Sequence, residues 1–202
     1  MNWEKDMKST RITVVAAVLG ALAASSAAQT LFSFEGSTQG FAPGNANATV
    51  ALSTIGATDG ANSLAITHTG NFVWVGTPDA FGANVLISSA PLIRYDLTIE
   101  GDLNGATWFN QLLAVNSNGG WKQMANQWDL PRTAGTHTIE IDVSELLPLN
   151  VTNWFQFFLS FNGPTDAGSR TFYIDNIRVV PEPATMAALG LGVAALIRRR
   201  RK

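Results

Sequence analysis

The stretch Asn153–Phe161, NWFQFFLSF, alternates with period two. Phe155, Phe157, Leu159 and Phe161 fall on one side of an extended chain, and Trp154, Gln156, Phe158 and Ser160 on the other. A helix would spread these apolar residues around its whole circumference, whereas a strand sends successive side chains to opposite faces. The pattern recurs in Pro91–Glu100, PLIRYDLTIE, where Ile93, Tyr95, Leu97 and Ile99 face one way and Arg94, Asp96, Thr98 and Glu100 the other. It recurs again in His137–Val143, HTIEIDV. Shorter runs of the same kind are TLFSFE (30–35), TVALSTI (49–55), NSLAITHT (62–69), NFVWVG (71–76) and TFYIDNIRVV (171–180). Gly, Asn, Asp, Ser and Pro punctuate them. Repeated short strands separated by turn residues predict an all-β domain, a sandwich or barrel. Only SELLPLN (144–150) reads as a short helical turn. No repeat or long linker divides the middle, so one domain is expected over residues 29–180.

Outside that domain the composition changes. The chain has 202 residues, of which 46% are hydrophobic and 14% charged, against about 25% charged in ordinary soluble domains. There is no cysteine, which excludes disulfides, thiolate metal sites and a thiol nucleophile. From Met7 the sequence reads MKSTRITVVAAVLGALAASSAAQT. Lys8 and Arg11 precede the apolar run Ile12–Ala24, and Ser26, Ala27 and Ala28 supply small residues for cleavage before Gln29. These are the three parts of a secretory signal peptide, expected over residues 1–28. Glu4 and Asp6 interrupt the basic region, so Met7 is an alternative start.

At the other end Pro181-Glu182-Pro183 precedes Ala184–Ile197, which carries no charge, and then Arg198, Arg199, Arg200, Arg201 and Lys202. Fourteen helical residues span about 21 Å, short of the ~30 Å hydrocarbon core. The cations that follow hold that end on the cytoplasmic side, so a single transmembrane helix is expected. Between Gln29 and Val180 five basic residues face twelve acidic ones, a net charge of −7. That charge excludes a phosphate-binding surface and with it a nucleic-acid partner.

The order Pro-Glu-Pro, apolar helix and Arg cluster, over residues 181–202, resembles the PEP-CTERM sorting signal of Gram-negative bacteria. The resemblance implies recognition and tail removal by an integral-membrane exosortase, with Pro181, Glu182, Pro183 and Arg198 to Arg201 as the sorting residues. It also implies transient inner-membrane anchoring, then a cell-surface or matrix location among exopolysaccharide, as in a biofilm. Independently, FSFEGSTQGF (32–41), TDGANSLAIT (58–67) and FYIDNIRVV (172–180), in that order, resemble a carbohydrate-binding-module-like or galactose-binding-like jelly roll. In such jelly rolls the Glu closing the first strand and the Asp of the last often meet at a structural Ca²⁺. The resemblance therefore implies Glu35, Asp175 and Asp59 as metal residues, with carbonyls around Gly60–Asn62. The alternative is that these carboxylates simply bond turn amides.

Five tryptophans lie in the middle: Trp74, Trp108, Trp121, Trp128 and Trp154. Flat rings stack on the apolar faces of sugars while amides and carboxylates hold the hydroxyls. Trp154 with Gln156, Trp108 with Asn110, and Arg94 with Asp96 share outward strand positions, and these six are the expected sugar contacts. The alternative is that the tryptophans plug the ends of the sandwich. For catalysis, His68 and His137 form no metal-ligand pair and are expected at solvated strand ends. Glu140 and Asp142 share a strand face but do not make a cleft. The expectation is a non-enzymatic exported protein that binds polysaccharide. A matrix protein without a small ligand, or an extracellular glycan hydrolase or lyase, are the alternatives.

Overall fold

The computed structural model describes residues 28–103, 108–163 and 169–180, together with Gly192. The expected signal peptide and the expected transmembrane helix with its Arg-rich tail lie outside the described residues. The chain divides into two units, Gln29–Val179 and the two chain ends, and the first of these is the domain described below. Among the described residues no helix is long and apolar enough to cross a membrane.

The described residues form twelve strands: β1 (Gln29–Phe32), β2 (Ala42–Pro43), β3 (Ala48–Ser53), β4 (Ser63–His68), β5 (Phe72–Gly76), β6 (Leu92–Ile99), β7 (Asn110–Ser117), β8 (Gly120–Gln123), β9 (Trp128–Asp129), β10 (Gly135–Asp142), β11 (Phe155–Asn162) and β12 (Arg170–Val180). A helix, α1 (Ala83–Ser89), lies between β5 and β6, and Ser144–Leu146 makes one 3₁₀ turn. That turn falls where SELLPLN predicts it. Helix α1 goes beyond the sequence reading; it is seven residues long and buries only Ile87.

The strands make two six-stranded sheets. The first runs β10-β6-β12-β4-β3, with β1 also on β12. The second runs β2-β5-β11-β7-β8, with β9 also on β7. This is a β-sandwich, and the alternation of its strands divides each sheet into a core face and an outer face. Phe155, Phe157, Leu159 and Phe161 of β11 are buried and meet Ile93, Tyr95, Leu97, Ile174 and other buried side chains of the first sheet in one hydrophobic cluster. Aromatic packing is concentrated in two places. Phe41 meets Phe32 edge-on at 5.0 Å and Phe34 at 5.4 Å, and Phe161 meets Phe172 at 4.5 Å. Edge-on and tilted rings pair the positive rim of one with the negative face of the other. A polar link joins the sheets: the fully buried Tyr95 hydroxyl donates to Gln111 Oε1. Burial pushes the Tyr95 hydroxyl well above its ordinary pKa, so it stays a donor.

Strand β12 changes partner along its length. Arg170–Ile174 pair with β4, and Ile177–Val179 pair with β1. Between them Asn176 takes a left-handed backbone conformation, φ 53°. Opposite this stretch the pairing register slips between Thr30 and Phe32 of β1, an irregularity of the kind that re-aims a neighbouring side chain. Here that neighbour is Asp175, fully buried. His68 corrects the sequence reading: it is 3% exposed, not solvated. Its ring meets Phe172 edge-on at 5.8 Å, and Nδ1 lies 3.1 Å from the Gly70 carbonyl.

Candidate functional site

The outer faces of the two sheets differ. Over the first sheet lies the segment 54–62. A β-carbon on Gly56 would meet Tyr173 Cβ at 2.7 Å and Thr98 Cβ at 3.0 Å, so the turn sits directly on that sheet. The outer face of the second sheet carries an open groove instead.

Strand register builds the groove. Phe158 is opposite Ala114 on β7 and Gly76 on β5; Ser160 is opposite Leu112 and Trp74; Asn162 is opposite Asn110 and Phe72. On the far side of β7, Ala114 faces Gln123 of β8 and Asn116 faces Trp121. Directly opposed residues share a face, so Phe72, Trp74, Phe158 and Trp121 all point away from the core. Together with Asn45, Leu112, Gln123, Gln127, Ser160 and Asn162 they line a groove of about 590 Å³. Its floor is a three-ring cluster. Trp74 stacks on Phe158 with centroids 5.0 Å apart and planes 26° from parallel. Trp121 lies 5.2 Å from each of them.

Two glycines make this floor possible. A β-carbon on Gly44 would meet the Trp74 indole at Cδ1, 2.5 Å away, and one on Gly76 would run into the Phe158 ring. Each ring lies flat over backbone that has no side chain to lift it. The Gly44 N–H donates to the Trp74 carbonyl at 2.8 Å, which ties the two segments in register.

Amides supply the polar groups. Trp121 Nε1 donates to Gln123 Oε1 at 3.2 Å. Asn45 Nδ2 donates to the Phe72 carbonyl at 3.2 Å, while Asn45 Oδ1 is buried without a partner. Asn110 Oδ1 is in the same condition. A buried acceptor left unpaired costs on the order of 1–3 kcal/mol. Among the described residues, no side chain in the lining is ionisable.

The expected sugar contacts divide. Asn110 and Gln156 share the outer face of the second sheet with the groove, by register with Asn162 and Asn116. Gln156 is already engaged: its Nε2 donates to the Pro78 carbonyl at 3.0 Å, and its Oε1 accepts from Asn116 at 3.2 Å. Trp108 is 36% exposed, and Trp154 is half-buried; neither belongs to the lining. Arg94 and Asp96 are a correction. They lie on β6, in the other sheet, and are not neighbours of Gln156. Arg94 pairs with Glu140 at 2.5 Å. Asp96 is 7% exposed, not outward in solvent. It accepts from Thr58 Oγ1 and Thr138 Oγ1, both at 2.9 Å, and lies 3.3 Å from Arg178 Nη1. Burial alone would raise its pKa; the bonds from Thr138 and Thr58 and the nearby Arg178 charge outweigh that and hold it below the ordinary carboxylate value.

Glu35 and Asp175 hold one turn, residues 58–62, in which Asp59 lies. Asp175 Oδ2 accepts from Thr58 N at 2.6 Å and Asp59 N at 2.8 Å, and Oδ1 from Asn176 N at 2.7 Å. Glu35 Oε1 accepts from Ala61 N at 2.9 Å and Asn62 N at 3.0 Å. Two carboxylates thus grip the 58–62 turn from its two ends. Among the described residues no three His, Cys, Asp or Glu side chains gather round one point. As arranged, the Glu35 and Asp175 carboxylates form a hydrogen-bonded clasp on this turn.

Residues 179–202 match the PEP-CTERM protein-sorting motif. No curated protein matches the chain. Solved structures share the fold. One is a carbohydrate-binding module of the β-sandwich superfamily, at 20% identity and TM-score 0.53, with 74% of this chain and 60% of that one covered. A second is a module specific for non-crystalline cellulose, at 14% identity and TM-score 0.54, covering 77% and 96%. A third is the CBM27-1 module of Caldicellulosiruptor saccharolyticus in complex with mannohexaose, at 15% identity and TM-score 0.54, covering 77% and 98%. The fold of the domain is therefore that of carbohydrate-binding modules.

Proposed function

We propose that this is an exported protein, sorted by exosortase, whose β-sandwich binds polysaccharide without chemical turnover. The observation that carries the reading is the groove on the second sheet. Three mutually packed aromatic rings form its floor, and amides rim it. Rings of this kind take the CH faces of pyranoses, and Asn and Gln both donate to and accept from hydroxyls. Trp121 is 43% exposed and Phe72 46%, which is costly to maintain in water unless something is met there. That exposure favours sugar binding over a matrix role without ligand.

Among the described residues the lining offers no titratable acid or base, which supports binding over hydrolysis. The fold shared with binding modules supports the same reading. The matched sorting motif supports export, transient anchoring in the inner membrane, exosortase processing and delivery to the cell surface or matrix. Each contact is expected to be weak, about 4–8 kcal/mol in total for millimolar to micromolar binding, so retention depends on many copies along one polymer. The test is retention on insoluble polysaccharide of the protein and of its Trp74→Ala and Trp121→Ala variants. Retention lost in both variants, with the fold intact, supports the groove; retention unchanged in both removes it.

A further inference from the structure

We infer that the groove selects uncharged polysaccharide and rejects polyanionic ones such as uronate or sulfated polymers, an inference that rests on the sugar-binding reading. It follows from where this domain keeps its charges. The strands of the second sheet carry only two ionisable side chains, Lys122 and Asp129. Lys122 stands opposite Val115, whose side chain is buried in the core, so register turns it away from the groove. Its Nζ is held there by the Leu146 and Pro148 carbonyls, at 3.0 and 2.6 Å. Asp129 stands opposite Asn110, on the groove's face but outside its lining, and it is an acid. The ion pairs Arg94–Glu140 and Arg178–Asp96 belong to the other sheet.

A carboxylate or sulfate entering the groove would therefore shed water and meet no cation. To the extent that it is desolvated against the rings without a counter-charge, it carries a penalty that a CH face does not. The net charge of −7 between Gln29 and Val180 adds long-range repulsion of a polyanion. A neutral pyranose chain carries neither penalty. Its CH faces meet Trp74, Trp121 and Phe158, and its hydroxyls meet Asn45, Gln123, Gln127 and Asn162, which serve as donors and acceptors alike. Discrimination of this kind comes from what the site withholds as much as from what it offers.

The experiment measures binding of the full chain, held in a polyoxyethylene detergent so that no sugar headgroup competes. The probes are two neutral polymers, mixed-linkage glucan and glucomannan, and two anionic ones, alginate and polygalacturonate. Binding to at least one neutral polymer is expected, changing less than about twofold between about 0.05 and 0.5 M salt and lost in Trp74→Ala or Trp121→Ala. No binding to either anionic polymer is expected. Binding of an anionic polymer that weakens with salt and requires Trp74 or Trp121 overturns the selectivity while leaving sugar binding in place. Binding of none of the four overturns the sugar-binding reading and the selectivity with it.

Discussion

Trp74 lies on Gly44: a single β-carbon at Gly44 would come within 2.5 Å of the indole Cδ1. Gly44 does not have a positive φ, so alanine there is strained by contact and not by backbone. Gly44→Ala should therefore tilt the Trp74 ring off its place while leaving the strands paired. Sugar affinity is expected to fall about tenfold, which is about 1.4 kcal/mol, with the melting temperature moved by only a few degrees. Calorimetric titration alongside thermal melts measures both.

The two tryptophan classes should separate in the same titration. Trp121→Ala, at the exposed wall of the floor cluster, should abolish most binding. Trp154→Ala and Arg94→Ala should leave it within about twofold, since Trp154 is outside the lining and Arg94 is on the other sheet. Strong loss in Arg94→Ala would place the ligand on the wrong side of the sandwich for the groove reading.

Asp175 should matter for stability and not for sugar. Its carboxylate, fully buried, accepts the N–H groups of Thr58, Asp59 and Asn176. Asp175→Ala leaves these donors unpaired, a loss on the order of 3 kcal/mol. Because N–H donors hold the clasp, a chelator is expected to leave the melting temperature unchanged. A chelator-induced drop that vanishes in Asp175→Ala would instead support calcium at Glu35, Asp59 and Asp175.

Much of this was legible in single strands and little of it between them. NWFQFFLSF and PLIRYDLTIE each declare a core face and an outer face, because alternation is local. Which sheet a strand joins is not local: β6 and β11 have similar patterns and lie in opposite sheets. Arg94 and Asp96 were grouped with Gln156 for that reason, and the structure separates them. Trp74 alternates with Val73 and Val75 in NFVWVG, so its outward direction could be read. Its partnership with Trp121 could not, since it arises from register through β11 and β7 to β8. Gly44 and Gly76 look like ordinary turn and strand-end glycines until the rings above them are seen. Helix α1 is not legible in the sequence, because seven residues with one buried side chain leave almost no periodic signal.

His68 should make stability fall in mild acid. Burial, with the nearby Arg170 charge, lowers its pKa despite the opposing bond to the Gly70 carbonyl. The folded state therefore binds the proton less readily than the unfolded chain, whose His titrates near about 6.5. The contribution is fully present above that value and is lost as pH falls through the lower folded pKa. His68→Phe should flatten this arm of a pH–melting curve. A wild-type curve flat from about pH 7 to 5 would show that the ring is not desolvated.

Sugar binding in the groove is tested most directly by the indole N–H signals of the protein. The chain has six tryptophans, each with one indole N–H visible in a nitrogen–proton NMR spectrum and assignable by single substitution. Titration with a neutral oligosaccharide such as mannohexaose or a mixed-linkage tetrasaccharide should move the signals of Trp74 and Trp121 together, with one saturation curve. Those of Trp3, Trp128 and Trp154 should stay in place. Movement of Trp154 or Trp128 with Trp74 and Trp121 fixed would put the ligand elsewhere on the sandwich, and no movement at saturating sugar would mean that the groove does not bind it.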